Sequence, residues 1–348
     1  MTMDEEYKVL ESVLKEFSQK EIEPVNKNIE LEGLSTDLKN KLASQGFLGA
    51  LAPFETGGAY LDRLGYAILL REISSASPSA AFYIFIQNSL VIKSLMKDNN
   101  MEIISKIASG KISGTMAYST RLNMLDPGHI MKNGNMIEGV LNAVFNSSGN
   151  IFIVNIEEEN NLYMIDSGYE KLPNHEQLGF RGVTFSPVKF KSSNFKPLST
   201  KMDEIIEDIH LPVAAIAIGI ANGALSKAIS YAKERDAFLH KLKDFQPLAF
   251  NMSQAYSELD SLNTYLVSVA EGQKDLKKEM MLKTVSLDFA RRTSKLALQV
   301  HGGYGYLMDF GVEKFYRDAM FLSIVGGHSL KDKVKLSELI FESKAGWI

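Results

Sequence analysis

Apolar residues recur at helical spacing through the first third of the chain. Tyr7, Leu10, Val13, Leu14 and Phe17 form one stripe, and Leu38, Leu42 and Ala43 form another behind a Ser35 or Thr36 cap. Gly46 stops that helix, and Thr56-Gly57-Gly58-Ala59 reads as a loop whose glycines admit unusual backbone angles. A helix is predicted over 63–75. Ser77-Pro78 opens the next, with Ser as cap and Pro at the first helical position, and the apolar first half of 80–97 makes it central. From about 113 the period shortens to that of strands. Alternating runs flank Asn133-Gly134, a hairpin signal. Segments 151–156 and 162–166 flank a polar turn at 157–161, and 184–190 is a strand whose Pro187 suggests a sheet edge. Helical patterns return near 203. They predict one helix or a broken pair over 203–235, then helices over 244–271, 274–301 and 312–341, the last broken at Gly326-Gly327. Long helices joined by short loops predict an antiparallel bundle. The reading is an α+β chain in three parts: an N-terminal α-helical domain (1–112), a middle β-domain (113–195) and a C-terminal four-helix bundle (196–348).

Composition narrows the function. A length of 348 residues suggests two or three packed domains. The net charge of -4 shows no basic excess, which argues against nucleic acid as partner. The absence of Cys excludes disulfides and thiolate metal sites, and six scattered His make no metal centre. The apolar run 211–225 is about 15 residues, short of the roughly 20 of a membrane span, and reads as a core helix. The acidic, amphipathic start lacks a signal-peptide pattern. A cytoplasmic protein with no membrane association is expected.

One stretch is specific enough to name a family. Gln299-Val300-His301-Gly302-Gly303-Tyr304-Gly305-Tyr306 is followed by Val312-Glu313-Lys314-Phe315-Tyr316-Arg317-Asp318-Ala319. Together they resemble the C-terminal signature of the acyl-CoA dehydrogenases, Gln-x-x-Gly-Gly-x-Gly followed by an aromatic or Met before Arg-Asp-Ala. Upstream, Arg235-x-x-Phe238 with Gln246 eight positions on resembles the family's Arg-x-x-Phe-Gly…Gln element. Glu21-Ile22-x-Pro24, Gly46-Phe47-Leu48, Pro53 with Gly57-Gly58, and Arg71-Glu72 keep the family's order near the N-terminus. The resemblance covers nearly the whole chain and is weakest in the β segment. It implies the acyl-CoA dehydrogenase-like fold, a homo-oligomer (dimer or tetramer), one FAD per subunit, an acyl-CoA or similar thioester as substrate, and an electron-transfer flavoprotein as partner.

The same resemblance assigns roles. Arg235 would meet the FAD diphosphate, typically of a neighbouring subunit, because a guanidinium donates two parallel hydrogen bonds. Gly302 and Gly303 would let backbone approach the cofactor, and Gln246 and Gln299 would offer side-chain amides. Phe238 would pack beside it, although Leu239 stands where the family has Gly. The family's Trp-Ile-Ser/Thr-Asn-Gly strand is aligned with Val144-Phe145-Asn146-Ser147-Ser148-Gly149, which loses the aromatic cover at Val144 and leaves Asn146 to bond the flavin edge. Tyr118-Ser119-Thr120-Arg121 stands near the family's serine loop, whose Gly and Ser are not matched.

The proton chemistry is where the chain departs. Dehydrogenation between the α and β carbons needs a carboxylate within reach of the α-proton. Counting on from Arg317-Asp318-Ala319, the family's usual Glu becomes Gly326, and the alternative position becomes Ile209. Asp208 and Glu207 are the substitute candidates. His328 takes the place of a cofactor-contacting Thr, and Leu330 of a polar contact. Three functions fit: a flavoenzyme with a relocated base, a non-catalytic subunit of the same fold, or a flavin monooxygenase of the same fold.

Overall fold

The computed structural model describes residues 5–118, 128–156, 160–325 and 329–342. The N-terminal helices are α1 (Glu5–Phe17), α2 (Asn26–Glu32), α3 (Thr36–Ser44) and α4 (Arg63–Ala76). They are followed by α5 (Pro78–Phe85), α6 (Lys93–Met96) and α7 (Met101–Ala108). Ser35 accepts from the Leu38 N–H at 3.1 Å and so caps α3. Gly46 ends that helix region with φ +75°. Ser77 caps α5 in front of Pro78, as the dipeptide predicts. The helix does not run straight to residue 97, because Ile86–Ile92 is a π-helical segment between α5 and α6. An apolar run has no residue-level signal for such an insertion.

The β part is a sandwich of two four-stranded sheets. One sheet orders β1 (Gly114–Tyr118), β4 (Ile151–Ile156), β5 (Asn161–Ile165) and β8 (Phe195–Lys201), with β1 and β4 parallel. The other orders β2 (Gly128–Asn133), β3 (Met136–Phe145), β7 (Phe185–Ser192) and β6 (Tyr169–Lys171). Their inner faces meet around Phe152, Val144, Val188 and Phe190, all at 1% exposure or less. The hairpin at Asn133-Gly134 forms, with Asn133 paired to Met136. Pro187 overturns the expectation of an edge: β7 lies between β3 and β6. The missing N–H is tolerated because the β3–β7 register breaks between Leu141 and Val144, opposite Pro187, and β6 pairing stops at Val188. Strand pairing continues past residue 195 through β8.

The C-terminal part starts with α8 (Met202–Asp208) and α9 (His210–Glu234), a pair broken at Ile209. The two-residue strands β9 (Asp236–Ala237) and β10 (His240–Lys241) lead to α10 (Gln246–Glu271), α11 (Leu276–His301), α12 (Glu313–Val325) and α13 (Ser329–Phe341). Helix α9 is the centre of the molecule. Its Gly219 and Gly223 face α4 so closely that an added Cβ would sit 2.3 Å from the Arg71 carbonyl oxygen and 2.2 Å from that of Ser75. The spans Pro78–Met96 and Met202–Glu234 are apolar enough to cross a membrane by composition, but each is 83% buried inside the protein, as core helices are. The Arg317-Asp318 pair of the signature ties the three parts together. Asp318 accepts the Phe180 N–H at 2.6 Å, while Arg317 donates to the Leu178 carbonyl and to Glu30, both at 2.8 Å.

Candidate functional site

Helix α9 ends at Glu234 and Arg235 turns into extended backbone, its N–H still bonded to the Tyr231 carbonyl. A two-residue hairpin follows, closed by the pairing of Ala237 with His240. Its tip is Phe238 and Leu239, with φ +50° and +68°, and both side chains stand out of the chain at 89% and 101% exposure. Such tips favour Asn-Gly. A Leu there carries backbone strain of about 1–2 kcal/mol, which is the structural consequence of the Gly-to-Leu departure noted in the sequence.

The glycine turn comes to the same place. Helix α11 ends at His301, and Gly302 takes φ +57° and ψ -136°, a conformation that favours Gly. A Cβ on Gly302 or Gly303 would meet nothing within 4 Å. The next residue, Tyr304, lies under the Arg235 guanidinium at 5.4 Å from its ring centroid. Tyr304 packs on Phe310 at 5.0 Å, and the His301 ring stacks on Tyr231 at 4.3 Å. Burial pushes the His301 imidazole down from its ordinary pKa. Among the described residues no carboxylate pairs with Arg235, while the neighbouring Lys241 is bonded to Asp236. Gln299, whose carbonyl caps the turn through the Gly302 N–H, and Gln246, at the start of α10, are exposed. The structure thus joins Arg235 to the glycine turn and leaves an unpaired guanidinium beside open backbone.

Strand β3 places the next candidates on its two faces. Val144 does not face the helices; it is fully buried in the sandwich core. Phe145 faces them, edge-on to Phe82 of α5 at 5.1 Å and to Phe321 of α12 at 5.5 Å. Val144 and Phe145 are adjacent, and adjacent residues of a strand lie on opposite faces. Asn146 is buried and turns its amide inward, donating to the Gly114 carbonyl at 2.8 Å. It braces the start of β1 and offers that N–H to nothing else.

The two candidate acids are poorly placed for proton transfer. Glu207 is exposed. Asp208 is gripped by Lys93 at 3.1 Å and by Lys274. Burial pushes the Asp208 carboxyl up, but the hydrogen bond from Lys274 and the charges of both lysines outweigh it, and its pKa ends below the ordinary value. A carboxylate stabilised in this way is a weak proton acceptor. Neither lysine was foreseen, because each arrives from a distant element. Gly326, His328 and the segment 119–127 lie outside the described residues.

Comparison with known proteins bears on this geometry. The profile for the acyl-CoA dehydrogenase N-terminal domain matches residues 4–115, and that for the acyl-CoA dehydrogenase C-terminal domain matches residues 207–330. The chain is 25% identical to the caffeyl-CoA reductase-Etf complex subunit CarC of Acetobacterium woodii, over 98% of this chain and 100% of that one. It is 25% identical to the 3-(aryl)acrylate reductase of Clostridium sporogenes, over 94% and 97%. A glutaryl-CoA dehydrogenase of Mycobacterium smegmatis, solved in complex with FADH2, superposes with a TM-score of 0.88 at 14% identity, covering 99% of this chain and 96% of that one. The two domain matches, the three-part fold and the glycine turn agree: the chain belongs to the acyl-CoA dehydrogenase family.

Proposed function

We propose that this protein binds FAD and carries out oxidation or reduction across the α,β carbon–carbon bond of an acyl-CoA thioester. The observation that carries the reading is the Arg235 guanidinium, which lies over Tyr304 with no carboxylate partner among the described residues, beside the open Gly302-Gly303 turn. This pairing of a free cation with backbone that no Cβ obstructs fits a dinucleotide diphosphate. Arg235 would bind the diphosphate by two parallel hydrogen bonds, Gly302 and Gly303 would let it approach, and Gln246 and Gln299 would orient the adenosine side. The exposure of all these groups, and of the Phe238–Leu239 tip, suits a site completed by a second copy of the chain, as a homo-oligomer would supply. Phe145 would cover the ring system. When bound, FAD supplies the two-electron step at the α,β bond.

An electron-transfer flavoprotein is the partner that the name of the Acetobacterium woodii relative suggests. The experiment is anaerobic: a panel of acyl-CoAs is added to the flavin-loaded protein and the visible band is followed, then enoyl- and arylacrylyl-CoAs are added after reduction. Bleaching by an acyl-CoA, or reoxidation by an unsaturated one, supports the reading; a flavin inert to both panels overturns it. A second reading, a subunit that keeps the cofactor seat without turnover, is favoured by the double lysine grip on Asp208.

A further inference from the structure

The π-helical segment Ile86–Ile92 carries three polar residues in a row, Gln87, Asn88 and Ser89. All three are at 2% exposure or less, so each has to find hydrogen-bond partners inside the protein. Each finds them on a different element. Asn88 accepts the Leu51 N–H at 3.0 Å and donates to the Phe47 and Ile84 carbonyls, both at 2.9 Å. Ser89 bonds the Tyr66 hydroxyl of α4 at 2.8 Å. Gln87 reaches the first residue of β1. It accepts the Gly114 N–H at 2.9 Å and donates to the Gly114 carbonyl at 3.0 Å. Strand β1 is an edge of its sheet, so this one amide supplies both partners that a further strand would have supplied there. The approach is close: a Cβ on Gly114 would sit 2.7 Å from Cγ1 of Val91, in the same π-helical segment.

The start of β1 in turn holds the end of β3. Asn146 donates to the same Gly114 carbonyl at 2.8 Å, and the Thr115 hydroxyl donates to the Phe145 carbonyl. Beyond the turn, the Asn150 N–H donates to the Ser113 carbonyl at 2.7 Å, and the Asn150 side-chain oxygen accepts the Ser113 N–H at 3.0 Å. Both ends of the stretch from Phe145 to Asn150 are therefore fastened to Ser113, Gly114 and Thr115. Gln87 fastens that triplet to the helices. Phe145 is the residue of this stretch that meets them, edge-on to Phe82 and Phe321.

We propose that Gln87 is a positioning residue for the ring face of the cofactor site: through Gly114 it sets where Phe145 and Asn146 stand against the helices. What occupies that face rests on the flavin reading above; the link from Gln87 to Phe145 does not. The test follows hydrogen exchange of the 143–150 segment by mass spectrometry in the wild type, Gln87→Met and Gln87→Glu, and the visible band of each after FAD loading. Met keeps the bulk of Gln and leaves the buried Gly114 N–H unpaired, so the segment should exchange about fivefold faster or more, the change expected for one buried hydrogen bond left unmade. The rest of the chain should keep its wild-type rates. Gln87→Glu is the conservative rescue, and it carries the test alone if Gln87→Met misfolds. As a carboxylic acid it accepts the Gly114 N–H and donates to the Gly114 carbonyl; as a carboxylate it cannot donate. Set against wild type at the same pH, it should exchange like wild type near about pH 5 and like Gln87→Met near about pH 8, since burial holds the acid form past the ordinary range. Gln87→Met should still take up FAD, because Arg235 and the glycine turn are untouched, with its visible band altered in position or fine structure. Unchanged exchange in Gln87→Met, a rise spread evenly over the chain, a Gln87→Glu protein without pH dependence, or an unaltered flavin band would each overturn the proposal. A wild-type protein that takes up no FAD would defeat the flavin reading instead, and the exchange rates would still decide the link from Gln87 to Phe145.

Discussion

Replacing Gly303 by Ala separates the cofactor seat from the fold. Gly303 lies in the short 3-10 turn Gly302–Tyr306, and a left-handed φ is recorded at Gly302 but not at Gly303. Its added methyl would meet nothing within 4 Å of its own chain. The substitution should therefore change stability by less than about 0.5 kcal/mol, as surface changes free of special geometry do. A diphosphate packed on this backbone would have to give way to the methyl. Overpacking typically costs about 1–3 kcal/mol, which corresponds to roughly 5- to 150-fold in affinity. Titration of apoprotein with FAD, followed by flavin fluorescence, measures the affinity, and thermal melts without FAD measure the fold. Gly302→Ala is the contrast: at φ +57° it should lower both. A Gly303→Ala protein with wild-type FAD affinity, or one that melts far lower without cofactor, would refute the reasoning.

Asp208→Asn should leave any acyl-CoA turnover unchanged, whereas loss of a general base costs about 100-fold or more; steady-state rates decide. Because the folded state holds the Asp208 pKa below its ordinary value, its contribution to stability is present above about pH 4 and is lost as pH falls further, so the melting curves of the two proteins should converge there. Asp318→Asn should act in the opposite sense. Burial, with the Glu30 charge, pushes the Asp318 carboxyl up to about 7, so the wild-type protein loses stability as pH rises from about 4 to 7 and the variant should show a flatter profile in chemical denaturation. Gly223→Ala should lower stability by about 1–3 kcal/mol, since its Cβ would sit 2.2 Å from the Ser75 carbonyl oxygen; a denaturation midpoint equal to wild type would contradict the close α4–α9 packing.

The parts legible in the sequence are those written contiguously. The glycine turn and its upstream Gln299 occupy neighbouring positions, so motif and geometry coincide. Arg235 is 69 positions before Tyr304, and only the resemblance of Arg235-x-x-Phe238 to a family element linked the two. The errors share a cause. Which of the adjacent apolar residues Val144 and Phe145 faces the helices is not written in the strand pattern. Pro187 was read by a rule that holds for regular pairing, and the bulge in β3 that accommodates it is a property of the partner strand. The grip on Asp208 comes from residues 115 and 66 positions away, which no local pattern announces. The π-helical segment before Lys93 is hidden in an apolar run that satisfies either geometry.

Cofactor retention is the most direct examination of the seat. The wild-type protein and Arg235→Ala are incubated with FAD or FMN, desalted, and read by visible absorbance. Wild type should hold about one FAD per chain and little FMN, because the guanidinium and the glycine turn recognise a diphosphate, and Arg235→Ala should emerge nearly colourless with its melting temperature kept. A wild-type protein that stays colourless, or that takes FMN as well as FAD, would contradict the account.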